Sequence, residues 1–324
     1  MGRILVTGGE GFIGRSVCLL LHQRGHEVVS LDDFSRSVPS DSAKDYAIVD
    51  GSVCDYDVVS GLLRNFRFDC VVHLAGKKSV RESVIDPVSY WETNVGGTLN
   101  LLRVLAENKV RNFVFASSCS IFGSSDFRLS ESGALNPQSP YAQTKRAVEE
   151  LLVSVSARNS LSFVSLRFFN VIGAWSEADS GDRFDSTDNL LPLALRSVLL
   201  GDGAFNVYGN QYPTPDGTCV RDYVDVVDLA DAHCASVDYL LDGGASTSFN
   251  IGSGSGTSVL EMLRLTEAVT GKPFTITTTD PRLGDPAQAV ANPQLANSVL
   301  GWKASTPLQA SIRNSVNWMR SRSQ

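Results

Sequence analysis

Tyr141 stands four places ahead of Lys145 in the stretch SPYAQTKRAVEELLVSVSAR. On a helix that spacing stacks the two side chains on one face, so a phenol and an ammonium can meet the same ligand. A tyrosine ionises near pH 10 in water and is a poor base at neutrality. A cation one turn away stabilises its phenolate and lets it take a proton from an alcohol. Ser118, at the end of NFVFASS, offers a hydroxyl to the same alcohol, or caps local backbone groups as strand-end serines do. Alone, a Tyr–Lys pair is more often two incidental surface side chains, so the elements that carry it decide what it does.

A second cluster supplies that context. LVTGGEGFIG places Gly8, Gly11 and Gly14, with Phe12 and Ile13 between the last two, where a strand runs into a helix. Glycines permit the tight turn and close backbone approach, and the helix N-terminus offers free N–H groups to a pyrophosphate. Asp32 closes the next β-rich run, EVVSLDD, where a carboxylate accepts from both ribose hydroxyls and repels a 2′-phosphate. That pattern favours NAD over NADP, with Arg36 close enough to serve a 2′-phosphate instead. The positive nicotinamide ring then adds to Lys145 as a charge acting on the Tyr141 phenol.

The intervening chain alternates short β-rich runs with helical ones: RILVT, a helix through Leu21, EVVSL, YAIVD, a helix near Val58–Phe66, and CVVHLA. A long helical stretch, YWETNVGGTLNLLRVLAENK, leads to NFVFASS, the Tyr141 helix and SFVSLRFF. Such alternation predicts an α/β fold, a Rossmann-type doubly wound parallel sheet, with at least six strands in the first half. Beyond Asn170 a Gly/Ser/Asp-rich loop, the helix LLPLALRSVLL and shorter strands point to a smaller C-terminal α+β substrate lobe. YVDVVDLADAHCASVDYLL reads as helical and returns to the first unit. The expected division is a dinucleotide-binding domain over 1–170, joined again by about 222–245, with 171–324 forming the second lobe.

Composition bounds the partners. The 324 residues are 43% hydrophobic and 19% charged with a net charge of -7. No Lys/Arg-rich run exists to neutralise phosphates, so neither nucleic acid nor a membrane surface is an expected partner. No apolar run approaches the roughly 18 residues needed to span a bilayer, and MGRILVTGGEG enters a strand-and-loop pattern directly, so a cytoplasmic location is expected. The six cysteines lack C-x-x-C spacing and the four histidines form no ligand pair on one helix face, so no metal is expected.

These motifs, with HLAGKKSVRESV, ETNVGGTLNLL, LRFFNVIGA, DNLLP, YGNQYPTPDGTCVRDYVDVVDLADAH and RLGDPAQAVANPQLANSVLGW, resemble the extended short-chain dehydrogenase/reductase family end to end. Within it the likeness is to the UDP-sugar 4-epimerases. The resemblance implies an NAD-dependent isomerase that interconverts UDP-glucose with UDP-galactose, and UDP-GlcNAc with UDP-GalNAc, through a 4-keto intermediate. It implies Ser118, Tyr141 and Lys145 as catalytic residues. Around the cofactor it implies Leu74, Ala75, Gly76, Lys78 and Asn94, and at the adenine Ser52 and Val53; Gly51-Ser52-Val53 replaces the family's Gly-Asp there. For substrate it implies Ser118, Ser120, Leu190 and Asn206, then Asn170, Asn189 and Arg221 towards the diphosphate with Arg282 as a second cation. Tyr208 falls beside the uracil, Asp285 at the ribose, and Ala289 against the sugar C2 substituent, where a small residue admits an N-acetyl group.

Three other functions remain open at this point. A UDP-glucuronate 4-epimerase would meet the extra carboxylate with Ser120, Arg183 or Arg196. A nucleotide-sugar 4,6-dehydratase would need Asp-Glu directly after Ser118, where Cys119 and Ser120 stand. A non-catalytic NAD-binding regulator would be expected to have lost Tyr141 or Lys145. The resemblance also implies a homodimer, through helices near Thr98–Ala106 and Ala147–Ser156, whose Leu/Val stripes could instead face the parent sheet.

Overall fold

The computed structural model describes residues 1–38, 45–123, 128–159, 161–182, 188–282 and 285–322. Its centre is a sheet of seven parallel strands: β1 (Arg3–Thr7), β2 (Glu27–Asp32), β3 (Ala47–Asp50), β4 (Cys70–His73), β5 (Asn112–Ser118), β6 (Ser162–Phe168) and β7 (Thr247–Ile251). Their spatial order is β7-β6-β5-β4-β1-β2-β3. Strands buried on both faces alternate their side chains between two cores. Ile4 and Val6 enter a cluster under helices α1 (Phe12–Gln23) and Val226–Leu241. Leu5 enters the opposite one, against the helices Tyr56–Asn65, Gly97–Glu107 and Pro140–Asn159.

The structure departs from the sequence reading at two places in the second half. YVDVVD is not helical from its start: Tyr223–Asp225 end a strand, Val220–Asp225, and Asp225 caps the following helix by accepting the Val227 N–H at 2.9 Å. A carboxylate at that position takes an orphan helix-start donor, which is why the strand stops there. The seventh strand, Thr247–Ile251, then pairs in parallel with β6.

The remaining elements pack at the C-terminal ends of the strands. Val220–Asp225 pairs with Asn170–Ile172, Gly256–Ser258 and Gln288–Ala289, and Ala204–Tyr208 pairs with Thr275–Thr279. Helices Leu190–Leu200, Val259–Thr270 and Leu308–Arg322 cover them around Ile172, Leu195, Tyr223, Met262, Ile312 and Met319. Among the described residues no helix is long and apolar enough to cross a membrane.

Candidate active site

The strand order reverses between β1 and β4, whose ends Thr7 and His73 are register partners. Open parallel sheets bind ligands at such a switch point. A cavity of about 1730 Å³ opens there, and Gly8, Gly11, Phe12, Ile13, Gly14, Asp32, Ser52, Val53, Leu74, Ala75, Gly76 and Lys78 line it. Gly8 has φ +70°, and a Cβ there would stand 2.7 Å from the Ala75 nitrogen; one on Gly14 would stand 2.1 Å from the Gly8 carbonyl oxygen. Only residues without a side chain allow the loop, β4 and α1 to meet so closely. No side chain caps α1 and no acid occupies its first turn, in contrast to Tyr56–Asn65, which Asp55 caps. The first amides of α1 thus remain for an anionic ligand, and the cradle fits a dinucleotide pyrophosphate.

Asp32 is buried, accepting from Glu10 N at 2.9 Å, Phe34 N at 2.9 Å and Ser37 Oγ at 2.8 Å. Its carboxylate is therefore fixed before any ribose arrives. Arg36 lines the cavity but is engaged, with Nη2 2.6 Å from Glu82 Oε2. Ser52 Oγ accepts from the Cys54 N–H at 3.3 Å. Asn94 lies off the cavity wall, buried behind the Gly76–Lys78 loop, where Oδ1 accepts from Lys77 N at 2.8 Å and Nδ2 donates to Lys77 O and Thr144 Oγ1, both at 3.1 Å. A π-helical turn, Trp91–Gly96, carries it, a distortion that re-aims side chains near functional sites.

Tyr141 and Lys145 occupy the first two turns of Pro140–Asn159 and reach the cavity wall side by side. Burial pushes the phenol up to about 12, against a hydrogen bond from Ser118 that lowers it, while Cys119 and Tyr90 raise it further. Burial brings the Lys145 ammonium down to about 8, partly opposed by Glu149. Lys145 Nζ donates to Ala116 O at 2.8 Å and lies 5.8 Å from the centre of the Tyr141 ring. In the protein by itself, desolvation outweighs the neighbouring Lys145 charge and the phenol stays protonated at neutrality, which leaves the second expected charge, the nicotinamide ring, to act on it. Ser118 is buried and touches the cavity through Tyr141, and Ser120 Oγ, two residues on, is buried with no hydrogen-bond partner. Behind them His73 bridges Thr7 Oγ1 at 2.7 Å and Thr98 Oγ1 at 2.9 Å, neutral because burial lowers it to about 3.

At the far end of the cavity stand Asn189, Tyr208, Arg282 and Asp285. The Arg282 guanidinium lies 4.0 Å from the centre of the Tyr208 ring, a cation–π stack that leaves the other ring face for a planar base. Asp182 accepts from Asn189 Nδ2 at 2.8 Å and pairs with Lys78 Nζ at 3.4 Å, linking the two ends. Arg221 lies off the wall, its Nη2 held 2.5 Å from Asp285 Oδ1. Ala289 is its strand neighbour, half-buried against Ile121, Phe122 and Phe169. Asn170 and Asn206 are exposed on their strands off the wall, the former hydrogen-bonded to Tyr223, and Leu190 packs into the core beneath its helix. Arg196 lines the cavity, whereas Arg183 lies outside the described residues.

The cavity also gathers residues the sequence reading missed. Buried Arg15 holds Asp179, donating from Nη1 to its backbone carbonyl at 2.9 Å and to its carboxylate at 3.0 Å, and Arg322 meets that carboxylate beside Trp318. Glu10 sits inside the glycine motif and Arg15 directly follows it, so both could have been found there. Trp318 and Arg322 come from the last helix, and nothing in their local sequence marks them.

A fold of this kind, with a dinucleotide cradle at its switch point and a buried phenol beside it, defines a nucleotide-cofactor enzyme that handles the proton of an alcohol. Residues 4–252 match the NAD dependent epimerase/dehydratase family, and the chain belongs to that family. It is similar to the UDP-glucose 4-epimerase of Rhizobium meliloti, 38% identical over 99% of this chain and 98% of the relative. The crystal structure of the Stenotrophomonas maltophila UDP-glucose-4-epimerase with bound NAD and formylated UDP-arabinopyranose superposes with a TM-score of 0.96 at 34% identity, over 100% and 99% of the two chains. The UDP-Glc/GlcNAc 4-epimerase of Campylobacter jejuni does so with 0.87 at 29%, over 99% and 100%.

Proposed function

We propose that this enzyme inverts C4 of a UDP-hexose, interconverting UDP-glucose and UDP-galactose through a 4-keto sugar. The observation that carries the reading is one continuous cavity with the glycine cradle at one end, the Tyr208–Arg282 stack at the other, and Tyr141 and Lys145 between. The residues of the cradle, with Asp32 at the ribose and Ser52 and Val53 at the adenine, would hold NAD. When bound, NAD supplies a reversible hydride acceptor beside the sugar carbon and a positive ring charge near the Tyr141 phenol. Tyr141 Oη, with Ser118 on the same hydroxyl, takes the C4–OH proton as the carbonyl forms and gives it back as the alcohol is restored. Lys145 holds positive charge next to that proton transfer.

Inversion requires the sugar to turn between the two halves of the reaction, so the nucleotide must carry the binding. Asn189, Arg282 and Asp285, with Arg221 anchored through Asp285, are the groups assigned to it, residues 1–170 and about 222–245 serving the cofactor and 171–324 the UDP-sugar. Guanidinium groups suit a diphosphate because their paired N–H groups match its oxygens. Dehydration is disfavoured by the side chain that follows Ser118: burial pushes the Cys119 thiol up to about 12, and with Ser120 beside it no carboxylic acid serves a departing C6 hydroxyl.

Ala289 supports a wider substrate range, UDP-GlcNAc and UDP-GalNAc included. It packs with Cys119 against Ile121 and Phe122, directly behind the segment that Ser118 begins, so a larger side chain would have to displace that segment or project past it. The Campylobacter jejuni relative, named for both sugars, agrees with this range. Comparing turnover of UDP-glucose, UDP-GlcNAc and UDP-glucuronate tests it: an enzyme active on UDP-glucuronate and inert to the other two would overturn the assignment.

We infer a homodimer as well. The stripes on the two expected helices mostly face inward, Leu101, Leu102, Leu105, Val148 and Leu152 being buried against the sheet, but Leu99 and Val153 remain exposed, as do Trp91 and Val88. The six cysteines are free, which fits a reducing, cytoplasmic setting.

A further inference from the structure

Three consecutive residues at the end of β5 are each held by the helix that carries Tyr141. Lys145 Nζ donates to Ala116 O at 2.8 Å, Ser117 Oγ donates to Glu149 Oε1 at 2.5 Å, and Ser118 hydrogen-bonds the Tyr141 phenol. Tyr141, Lys145 and Glu149 are spaced four apart and form one stripe on the helix. Glu149 is itself clamped. Arg167, the register partner of Ser117 on β6, donates from Nε to Oε1 at 3.1 Å and from Nη2 to Oε2 at 2.7 Å. Its Nη1 donates to the Glu131 carbonyl at 2.9 Å, and its guanidinium lies 5.2 Å from the centre of the Phe122 ring. Both charged residues are only 6% exposed.

A buried ion pair is a weak device for stability, since desolvating two ions offsets most of their attraction, and an apolar pair would fill the space as well. What an apolar pair could not supply is a fixed negative charge one turn beyond Lys145 and a bidentate brace between the helix and two strands. We propose that Glu149, locked by Arg167 and Ser117, is a positioning residue that fixes Tyr141 and Lys145 in register over Ser118 and keeps Lys145 an ammonium. The role rests on the reaction proposed above. The other groups facing Lys145 supply no anion: His73 from β4 is neutral, Tyr141 is protonated, and Phe115 presents its ring 4.9 Å away. Burial alone drives Lys145 towards the amine, and Glu149 opposes it.

The test compares wild type, Glu149→Gln and the double variant Glu149→Gln/Arg167→Met, in which no buried charge is left unpaired and which carries the test if the single variant does not fold. Competitive acetylation by acetic anhydride across pH, read peptide by peptide in the mass spectrometer without substrate, gives the half-point of Lys145 ionisation. In Glu149→Gln it should fall by about one pH unit, the usual shift on losing a nearby opposite charge, and in the double variant, which also removes the more distant Arg167 cation, by a smaller amount in the same direction. The alkaline limb of kcat should move down with it, while KM for UDP-glucose stays within about twofold, a split expected when positioning and not substrate binding is lost. Folded variants whose Lys145 half-point and kcat limb coincide with wild type overturn the proposal. Wild-type protein that turns over no UDP-sugar would instead overturn the reaction, and the labelling result would still decide whether Glu149 controls Lys145.

Discussion

Replacing Gly14 with Ala would place a methyl carbon 2.1 Å from the Gly8 carbonyl oxygen, 2.7 Å from Gly9 Cα and 2.8 Å from the Gly9 carbonyl carbon. All three are backbone atoms, so no side chain can turn aside. Restoring an ordinary contact of about 3.5 Å drives α1 and the loop apart by roughly 1 Å. Overpacking of this kind costs about 1–3 kcal/mol, and each kcal/mol lowers Tm by about 1–2 °C in a chain of 324 residues. The same shift withdraws the α1 amides from the pyrophosphate position, so NAD should bind about 10- to 100-fold more weakly, in line with the loss that accompanies a misplacement of about 1 Å. Gly61 is the control: it lies inside the helix Tyr56–Asn65 with nothing within 4 Å of an added Cβ. Gly61→Ala should gain up to about 1 kcal/mol and leave NAD affinity unchanged. Calorimetric titration with NAD and thermal melts of the three proteins decide it. Gly14→Ala binding NAD within twofold of wild type, or Gly61→Ala losing as much affinity, would refute the close-packing argument.

Tyr141→Phe should lower kcat by about 10²–10⁴, the usual share of a general base, while NAD titrates as in wild type; a variant with near-normal turnover removes Tyr141 from that role. Ala289→Tyr should cost UDP-GlcNAc turnover more than tenfold and spare UDP-glucose, because steric overlap at a pocket wall discriminates at least as strongly as the roughly 10- to 200-fold of a missing hydrophobic contact. Equal losses on both sugars would show that Ala289 only packs. Sedimentation at micromolar concentration should give a dimer that Leu99→Glu with Val153→Glu dissociates, and a wild-type monomer would contradict it.

Much of the sheet was legible because its signals are local. Strands of four to seven residues, buried on both faces except at the β3 edge, alternate with helices whose N-caps include Gly11 and Asp55. The elements that were misread depend on distant pairing. Tyr223–Asp225 follows an apolar pattern that a helix shares, and only its pairing with Asn170–Ile172 makes it a strand. Thr247–Ile251 mixes Thr, Ser and Asn with Phe249 and Ile251, and only its pairing with β6 places it in the central sheet. At the site, glycine spacing and the Tyr–Lys step could be read directly, since one turn of backbone sets each. That Arg221 would face Asp285, 64 positions away, or that Asn94 would sit behind the Lys77 backbone, is decided by tertiary packing. Nor could burial of Tyr141 be weighed against the charge of Lys145 without the walls around both.

UDP-glucose carrying deuterium at C4, incubated with the purified enzyme and followed by proton NMR, asks directly whether C4 is oxidised and reduced again within one cavity. The predicted result is UDP-galactose that keeps the deuterium at C4, approaching a constant ratio with UDP-glucose and with no loss of water. Product bearing hydrogen at C4, a dehydrated sugar, or unchanged UDP-glucose in the presence of bound NAD would contradict it.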